Sequence, residues 1–293
     1  MEKLQSQIME LGGDCVDVLE ILDNLQNAAE KDSEKKQFQN NKKPEYHFDK
    51  LKMYFGEDYE INGITISIPT IGEILDIGEQ RFYQSLSPFL NNPTSVRVML
   101  YDAFKKDWNK TKDIEVFYIL YQILQDKEPL RLIFKDFSFD GFELTPAKKN
   151  INDSEFNHLA LFNGEKNVII YDDDYLEIAE FIRAMMNVHP KTEKAKGKTT
   201  KHWMLQEDRM KAQQNNDKKD SSTLLPLVSA CINHPGFKYK LEDLKQVNIC
   251  QFMDSVQRIQ KYEQGVAALH GIYGGMVSAK DIPNDLINFM GDL

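Results

Sequence analysis

Two Asn-Gly dipeptides, Asn62-Gly63 and Asn163-Gly164, constrain the fold of this chain more than any other feature. Asn and Gly accept the positive φ angles of a two-residue turn, so each pair between apolar segments predicts an antiparallel β-hairpin. Each hairpin is too small to stand alone and needs helices to cover it. The flanking segments are residues 59–61 and 64–68 for the first pair, and 158–162 and 167–171 for the second, with further alternation of Phe137, Phe139, Phe142 and Leu144 over residues 130–145.

Helical periodicity dominates the rest of the sequence. Thr70 with Glu73 forms a capping box and predicts a helix running to about Leu86. Further helices are predicted over residues 94–106, 113–125, from 172 to 186 and through much of 224–293, where Gly274-Gly275 breaks the last helix. In the helix from 172, a buried stripe is predicted at Tyr175, Ile178, Ala179, Ile182, Met185 and Met186. The fold class is therefore α+β, predominantly α-helical, with a central domain containing two small antiparallel β-hairpin units and a C-terminal helical domain.

Changes in composition place the domain boundaries. Residues 191–219 hold nine cations and four anions, a net charge of +5 in a chain whose total is −10, which is typical of a solvated connector or an exposed helix. Residues 30–43 have almost nothing to bury and predict a linker. The predicted units are an N-terminal helical segment (1–32), a polar linker (33–47), the central domain (48–190), a charged connector (191–221) and the C-terminal domain (222–293).

The N-terminal segment carries an apolar seam at heptad spacing, interrupted by Gly12-Gly13. Such a seam packs either against other helices of its own chain or against a second copy, and both alternatives stay open. A second apolar cluster lies near the C-terminus. The residues predicted to contact other proteins are Leu4, Ile8, Leu11, Val18, Leu22 and Leu25 in the seam, which also includes Cys15, and Leu286, Phe289 and Met290 near the C-terminus.

Charge and cysteine content disfavour several classes of protein. A net charge of −10 repels phosphate backbones and anionic lipids, so nucleic-acid binding is not expected beyond a weak signal from Trp203 among lysines. Three widely spaced cysteines fit a reducing compartment. With neither a long apolar run nor a signal-peptide pattern, we expect a cytoplasmic protein without a membrane span.

Motifs for catalysis or cofactor binding are weak throughout the sequence. The six histidines form no His-Glu-x-x-His pattern, no two cysteines have zinc-site spacing, and Gly271 to Gly275 lacks the flanks of a phosphate loop. Asp172-Asp173-Asp174 could bind Mg²⁺, but carboxylates before an amphipathic stretch favour helix capping. The sequence therefore predicts no catalytic residues, no metal and no cofactor, and a protein that is not an enzyme.

Two segments carry a resemblance to a known family. They are Ile68-Pro-Thr-Ile-Gly-Glu-Ile-Leu-Asp-Ile-Gly-Glu79 through Tyr83, and the stretch from Phe237 that ends in Leu269-His-Gly-Ile-Tyr-Gly-Gly275. They resemble a family encoded in the virion-morphogenesis region of phages and prophages of Gram-positive bacteria. The resemblance covers about residues 60–90 and 225–293 and brings no catalytic residue with it.

The resemblance implies a phage tail-region protein, either a tail assembly chaperone or a tail or baseplate structural component. Its partners would be other phage tail or baseplate proteins, and it would act in the host bacterial cytoplasm or within the virion tail. A homo-oligomer formed through the N-terminal segment is compatible with that role. The alternatives are a phage-encoded inhibitor of a host system that acts outside the particle, and an enzyme that uses Asp172 to Asp174 with a metal.

Overall fold

The computed structural model describes residues 46–149, 158–214, 222–288 and 290–291, which are 55% helical and carry two small antiparallel sheets. The predicted α+β, mostly helical fold class is confirmed. The helices are α1 (Lys50–Phe55), α2 (Ile71–Ile77), α3 (Glu79–Leu90), α4 (Arg97–Asp102), α5 (Asp113–Ile123), α6 (Arg131–Phe134), α7 (Asp172–Met185), α8 (Lys198–Gln214), α9 (Leu224–Asn233), α10 (Leu241–Leu244), α11 (Ile249–Tyr273) and α12 (Asn284–Ile287), with 3₁₀ turns at Glu128–Leu130 and Ala279–Asp281. The strands are β1 (Tyr59–Ile61), β2 (Ile64–Ile66), β3 (Glu143–Ala147), β4 (His158–Asn163) and β5 (Val168–Tyr171).

The first predicted hairpin is confirmed, including its turn. Strands β1 and β2 pair antiparallel, and the pair closes at Ile61 opposite Ile64. Asn62 and Gly63 form the two-residue turn with φ angles of 48° and 78°. Both angles lie in the left-handed region that Asn and Gly tolerate, which is why this dipeptide is informative. Ile64 and Ile66 are buried, so one face of the hairpin belongs to the core.

The second hairpin forms where expected, and its connection has four residues, as many as lie between the predicted segments 158–162 and 167–171. Strand β4 continues through Asn163, which pairs with Val168, so four residues connect β4 to β5. The positive φ falls on Asn167, at 51°. Asn163 is buried and its side-chain oxygen accepts a hydrogen bond from the Lys166 amide at 2.9 Å. Asn163 therefore supports the turn through its side chain, since Asn side chains readily bond nearby backbone groups.

The alternation over residues 130–145 also predicts more strand than the structure contains. Strand β3 covers Glu143–Ala147 and pairs with β4, which makes the order of the second sheet β3-β4-β5. Residues 131–134 are helical instead, and Phe137 and Phe139 lie in a loop. Their rings meet edge to face with centroids 5.0 Å apart, and Phe139 is buried against Phe134 at 5.1 Å. Apolar residues alternate here because a loop buries aromatic side chains, and the same alternation is typical of a strand.

The capping box at Thr70 is confirmed, whereas the single helix predicted to Leu86 is two helices. Glu73 donates its amide to the Thr70 hydroxyl at 3.2 Å and its carboxylate accepts the Thr70 amide at 2.8 Å. Helix α2 ends at Gly78, whose φ of 95° is incompatible with a continuous helix. Helix α3 then runs to Leu90.

One hydrophobic core extends through the described residues. At its centre, the rings of Phe89, Phe117 and Tyr175 pack with centroids 4.8 to 6.4 Å apart. The side chains predicted to form the inner stripe of α7 are all buried. They are Tyr175, Ile178, Ala179, Ile182, Met185 and Met186. Leu224, Cys231, Leu244, Ile249 and Phe252 belong to the same cluster, so residues from the predicted central and C-terminal domains share a core.

Residues 69–72 dock by main-chain hydrogen bonds onto residues 245–249. The amides of Ile71 and Gly72 donate to the carbonyls of Val247 and Lys245, both at 2.9 Å. A Cβ on Gly72 would lie 2.7 Å from the Lys245 oxygen, so only glycine permits this approach. Glu79 makes a second link between these parts of the chain, because its carboxylate accepts hydrogen bonds from the amides of Thr223 and Leu224 at the start of α9. The docking therefore explains why position 72 is glycine.

Candidate functional site

An open cleft of about 500 Å³ lies where α5 and α7 begin. Its other walls are the loops 92–94, 108–112 and 192–194. Trp108 contributes a buried aromatic wall, and Lys112, Asp172, Glu193 and Lys194 bring charges of both signs to the rim. The cleft combines apolar and polar groups, as ligand sites generally do.

Asp172 is the central charge of this cleft. Its carboxylate contacts Lys112 Nζ at 2.6 Å and His158 Nδ1 at 2.7 Å, and its side chain is largely buried. Burial by itself would raise the pKa of Asp172, but hydrogen bonds and charge from Lys112 and His158 outweigh it and lower that pKa. Because the ionised carboxylate only accepts hydrogen bonds, His158 must carry its proton on Nδ1.

His158, Asp172 and Asp173 place three ligand atoms within 4.8 Å of one another. Nitrogen and carboxylate donors at that spacing suit a divalent transition metal. Lys112 already pairs with Asp172, and Lys149 contacts Asp173 at 3.2 Å. A cation would therefore displace two ammonium groups. The three aspartates do open α7 as predicted, since Asp174 accepts the Tyr171 amide at 3.2 Å.

Arg183 supports the cleft from behind and was not identified in the sequence. Its side chain is 1% exposed, and its guanidinium contacts Asp113 at 3.0 Å and the carbonyls of Phe89 and Asn91 at 3.0 and 2.6 Å. The bonds join the end of α3 to the start of α5. No local signal marks this arginine, because position 183 follows the buried Ile182 in an amphipathic helix.

The residues predicted to bind other proteins are only partly described. Leu286 is half-buried on α12, where its carbonyl lies 3.1 Å from the point that a Cβ on Gly265 would occupy. This contact packs α12 tightly on α11. Met290 is 80% exposed, as a contact residue requires. The other predicted residues lie outside the described part of the chain: Leu4, Ile8, Leu11, Val18, Leu22, Leu25 and Phe289.

A further apolar surface lies on the second half of α11. Tyr262, Val266, Leu269 and Tyr273 follow one another at spacings of four, three and four residues, which places them on one face of the helix. We call these four residues the distal stripe. Tyr273 is 82% exposed, and the nearby Met276 is 86% exposed. The spacing was readable in the sequence, but only the structure reveals that core residues do not cover these tyrosines.

The glycine-rich end of α11 forms a helix cap. The amide of Met276 donates to the Gly271 carbonyl at 2.9 Å, and that of Gly275 donates to Ile272 at 3.0 Å. Gly275 has a φ of 71°, so this is a Schellman motif. The predicted break at Gly274-Gly275 is confirmed. Both segments that carry the sequence resemblance therefore have a structural role. The first contains the docked residues 69–72, and the second ends in this helix cap.

The cysteines described in the structure have protonated thiols at neutral pH. Burial raises the pKa of Cys250 to about 12, and it also raises the pKa of Cys231. The Cys250 thiol donates to the Met185 carbonyl at 3.7 Å. A protonated thiol is a poor nucleophile, so both residues act as packing groups. Cys15 lies outside the described residues.

No known protein family, curated protein or solved structure matches this chain. The surfaces and sites described above are therefore what indicates its function. Across residues 46–149, 158–214, 222–288 and 290–291, no helix is long and apolar enough to cross a lipid bilayer.

Proposed function

We propose that this protein acts by binding other proteins and does not transform a substrate. Within that class, we propose a phage virion-morphogenesis protein, either a tail assembly chaperone or a tail or baseplate component, as the sequence resemblance implies. The observation that supports binding is the distal stripe with Met276 beside it. Val266 and Leu269 are half-buried, whereas Tyr273 and Met276 are more than 80% exposed, and large exposed apolar side chains close together are typical of a surface that a partner protein covers.

The energetics of this surface suit a protein contact. Fully burying a Met or an aromatic side chain of this size contributes about 1.5 to 3 kcal/mol, so Tyr273 and Met276 together could contribute about 3 to 6 kcal/mol. Tyrosine is enriched among the residues that dominate binding energy, because its ring is rigid and its hydroxyl can bond the partner. The cleft favours catalysis less, since Asp172, Lys112 and His158 are already engaged with one another.

The test is co-expression of the full chain with the proteins encoded beside its gene, followed by mass measurement with light scattering. We expect a stable complex with at least one of them. Tyr262→Ser with Tyr273→Ser should abolish that complex, because it removes both exposed ends of the distal stripe. Leu225→Ser with Leu241→Ser is the matched control, since these side chains are similarly exposed on other helices and should not matter. A monomer mass in every mixture would contradict the proposal.

Purified virions separate the two forms of the proposal. A tail or baseplate component stays in the particle and is detected there by mass spectrometry, whereas an assembly chaperone is present during assembly and absent from the finished particle. A complex with a host protein and with none of the neighbouring phage proteins would instead support the inhibitor alternative.

A further inference from the structure

The segment that leads into α8, together with the first residue of that helix, presents a row of exposed positive charge. Lys191, Lys194, Lys196 and Lys198 are all exposed, and Trp203 on α8 is 67% exposed. We call these five residues the basic face. Among the described residues none of the four lysines has an ion-pair partner within 4 Å, whereas the neighbouring Lys201 pairs with Asp107. The charge of the basic face is therefore uncompensated, in a protein whose net charge is −10.

The basic face is held in place by buried contacts. Asn109 bonds both the amide and the carbonyl of Ala195, at 3.1 and 2.8 Å, and Ala195 is buried between the lysines. The buried Arg97 pairs with Glu193 at 2.7 Å and with Asp208 on α8 at 2.6 Å. The lysines thus project from a fixed backbone, which reduces the entropy that a bound partner must remove.

The chain itself contains a segment of complementary chemistry. Residues 1–25 hold six acidic residues and one lysine, a net charge of −5, along with the heptad seam. Glu10, Asp14 and Asp17 each precede a residue of that seam, so in the predicted helix they share one edge of it. The negative charge of this edge complements the positive charge of the lysines, and the apolar seam complements the exposed ring of Trp203.

The position of Tyr46 brings this segment within reach of the basic face. The Tyr46 hydroxyl donates to the Asp173 carbonyl at 3.0 Å, and Asp173 lines the same cleft as Lys194. The described chain therefore begins at the cleft that Lys194 of the basic face also lines. Residues 26–45 are 20 residues long and can span about 66 Å when extended, far more than the cleft requires.

We propose that the basic face is the docking site for residues 1–25 of the same chain. The acidic edge of that segment pairs with the four lysines, and its seam covers Trp203. Of the two alternatives for this segment, the proposal takes packing in cis over pairing with a second copy. It does not depend on the partner of the distal stripe.

Acrylamide quenching of Trp203 fluorescence tests the docking in the full chain. The other tryptophan, Trp108, is 3% exposed and contributes little quenching. A Trp203→Phe variant retains only Trp108, so its fluorescence can be subtracted from that of the wild type. We expect Trp203 to be protected in the wild type. Changing the four lysines to Glu should raise the quenching constant about threefold, since like charges then repel the segment. Glu10→Gln with Asp14→Asn and Asp17→Asn should do the same.

Four other exposed lysines give the matched control. They are Lys238, Lys240, Lys245 and Lys280, and changing them to Glu should leave the quenching constant unchanged. Equal quenching of Trp203 in the wild type and in all variants would overturn the proposal. So would protection that appears only when a single-stranded oligonucleotide is added, which would make the basic face a nucleic-acid site.

Zero-length carbodiimide cross-linking of the wild type distinguishes cis docking from pairing between copies. Mixed chains of two isotopic labels should give cross-links between residues 1–25 and 191–198 that join only chains of the same label. The cross-links should weaken in 1 M salt, where the Debye length is about 3 Å. Cross-links that join different labels would overturn the proposal in favour of a second copy.

Discussion

Replacing Gly72 by alanine tests the docking of residues 69–72 onto residues 245–249. The added Cβ would lie 2.7 Å from the Lys245 carbonyl oxygen, whereas ordinary contacts of this kind begin at 3.4 Å. The two segments must therefore separate by about 0.7 Å. That separation strains the hydrogen bonds that the amides of Gly72 and Ile71 donate across the junction.

The expected loss of stability follows from three contributions. Weakening two hydrogen bonds costs about 2 kcal/mol, and crowding a packed contact costs about 2 kcal/mol more. Gly72 lies within α2, so alanine also favours the helix by about 1 kcal/mol. The net destabilisation is about 3 kcal/mol, which lowers the melting temperature by about 6 to 12 °C.

Urea unfolding followed by far-ultraviolet circular dichroism measures this change. Gly197→Ala is the matched control, since a Cβ there meets nothing within 4 Å and we expect an unfolding free energy within about 1 kcal/mol of wild type. An unchanged or higher midpoint for Gly72→Ala would refute the reasoning, because it would mean that the close approach to Lys245 is not needed for the fold.

Other perturbations test the polar groups of the structure. Glu79→Gln should destabilise the protein by about 1 kcal/mol, measured by urea unfolding, because a neutral amide is a weaker acceptor for the amides that open α9. Arg183→Met should cost about 3 kcal/mol or more in the same assay, since it leaves Asp113 unpaired and buried carbonyls unbonded, and a smaller loss than for Glu79→Gln would contradict this. The pKa of Asp172 in the folded protein lies below its ordinary value of 3.8. The stability that its ionised carboxylate contributes is therefore present above pH 3.8 and is lost as the pH falls through the lower pKa of the folded state. Wild type and Asp172→Asn should therefore differ in urea midpoint at pH 7 and converge well below pH 3.8. Because Lys112 already pairs with Asp172, Mn²⁺ should leave the melting temperature unchanged, and a shift that Asp172→Ala abolishes would instead support a metal site.

Local signals in the sequence predicted much of the architecture. The Asn62-Gly63 turn, the capping box at Thr70 and the break at Gly274-Gly275 each depend on residues within a few positions of one another. Such features arise from backbone angles and short-range hydrogen bonds, which neighbouring residues determine. The second hairpin was also predicted, but only the structure shows that its positive φ falls on Asn167, because Asn163 belongs to the buried sheet and supports the turn through its side chain.

The candidate site was less predictable, because its groups are distant in the sequence. Asp172 was predicted to open a helix, with metal binding as the alternative, and its contacts with Lys112 and His158 come from other elements. Arg183 carries no pattern at all, since a buried arginine becomes reasonable only where carbonyls and a carboxylate from other segments surround it.

The sequence by itself determined where helices and hairpins form and which faces are apolar, since periodicity and turn chemistry act over a few residues. Tertiary structure alone decided which apolar faces stay uncovered and which charges stay unpaired. Tyr273 has the spacing of a core residue, yet it is 82% exposed. Lys194 and Lys201 look equivalent in the sequence, but in the structure Lys201 pairs with Asp107. Exposure and pairing depend on distant segments meeting in space, and the order of residues does not reveal where they meet.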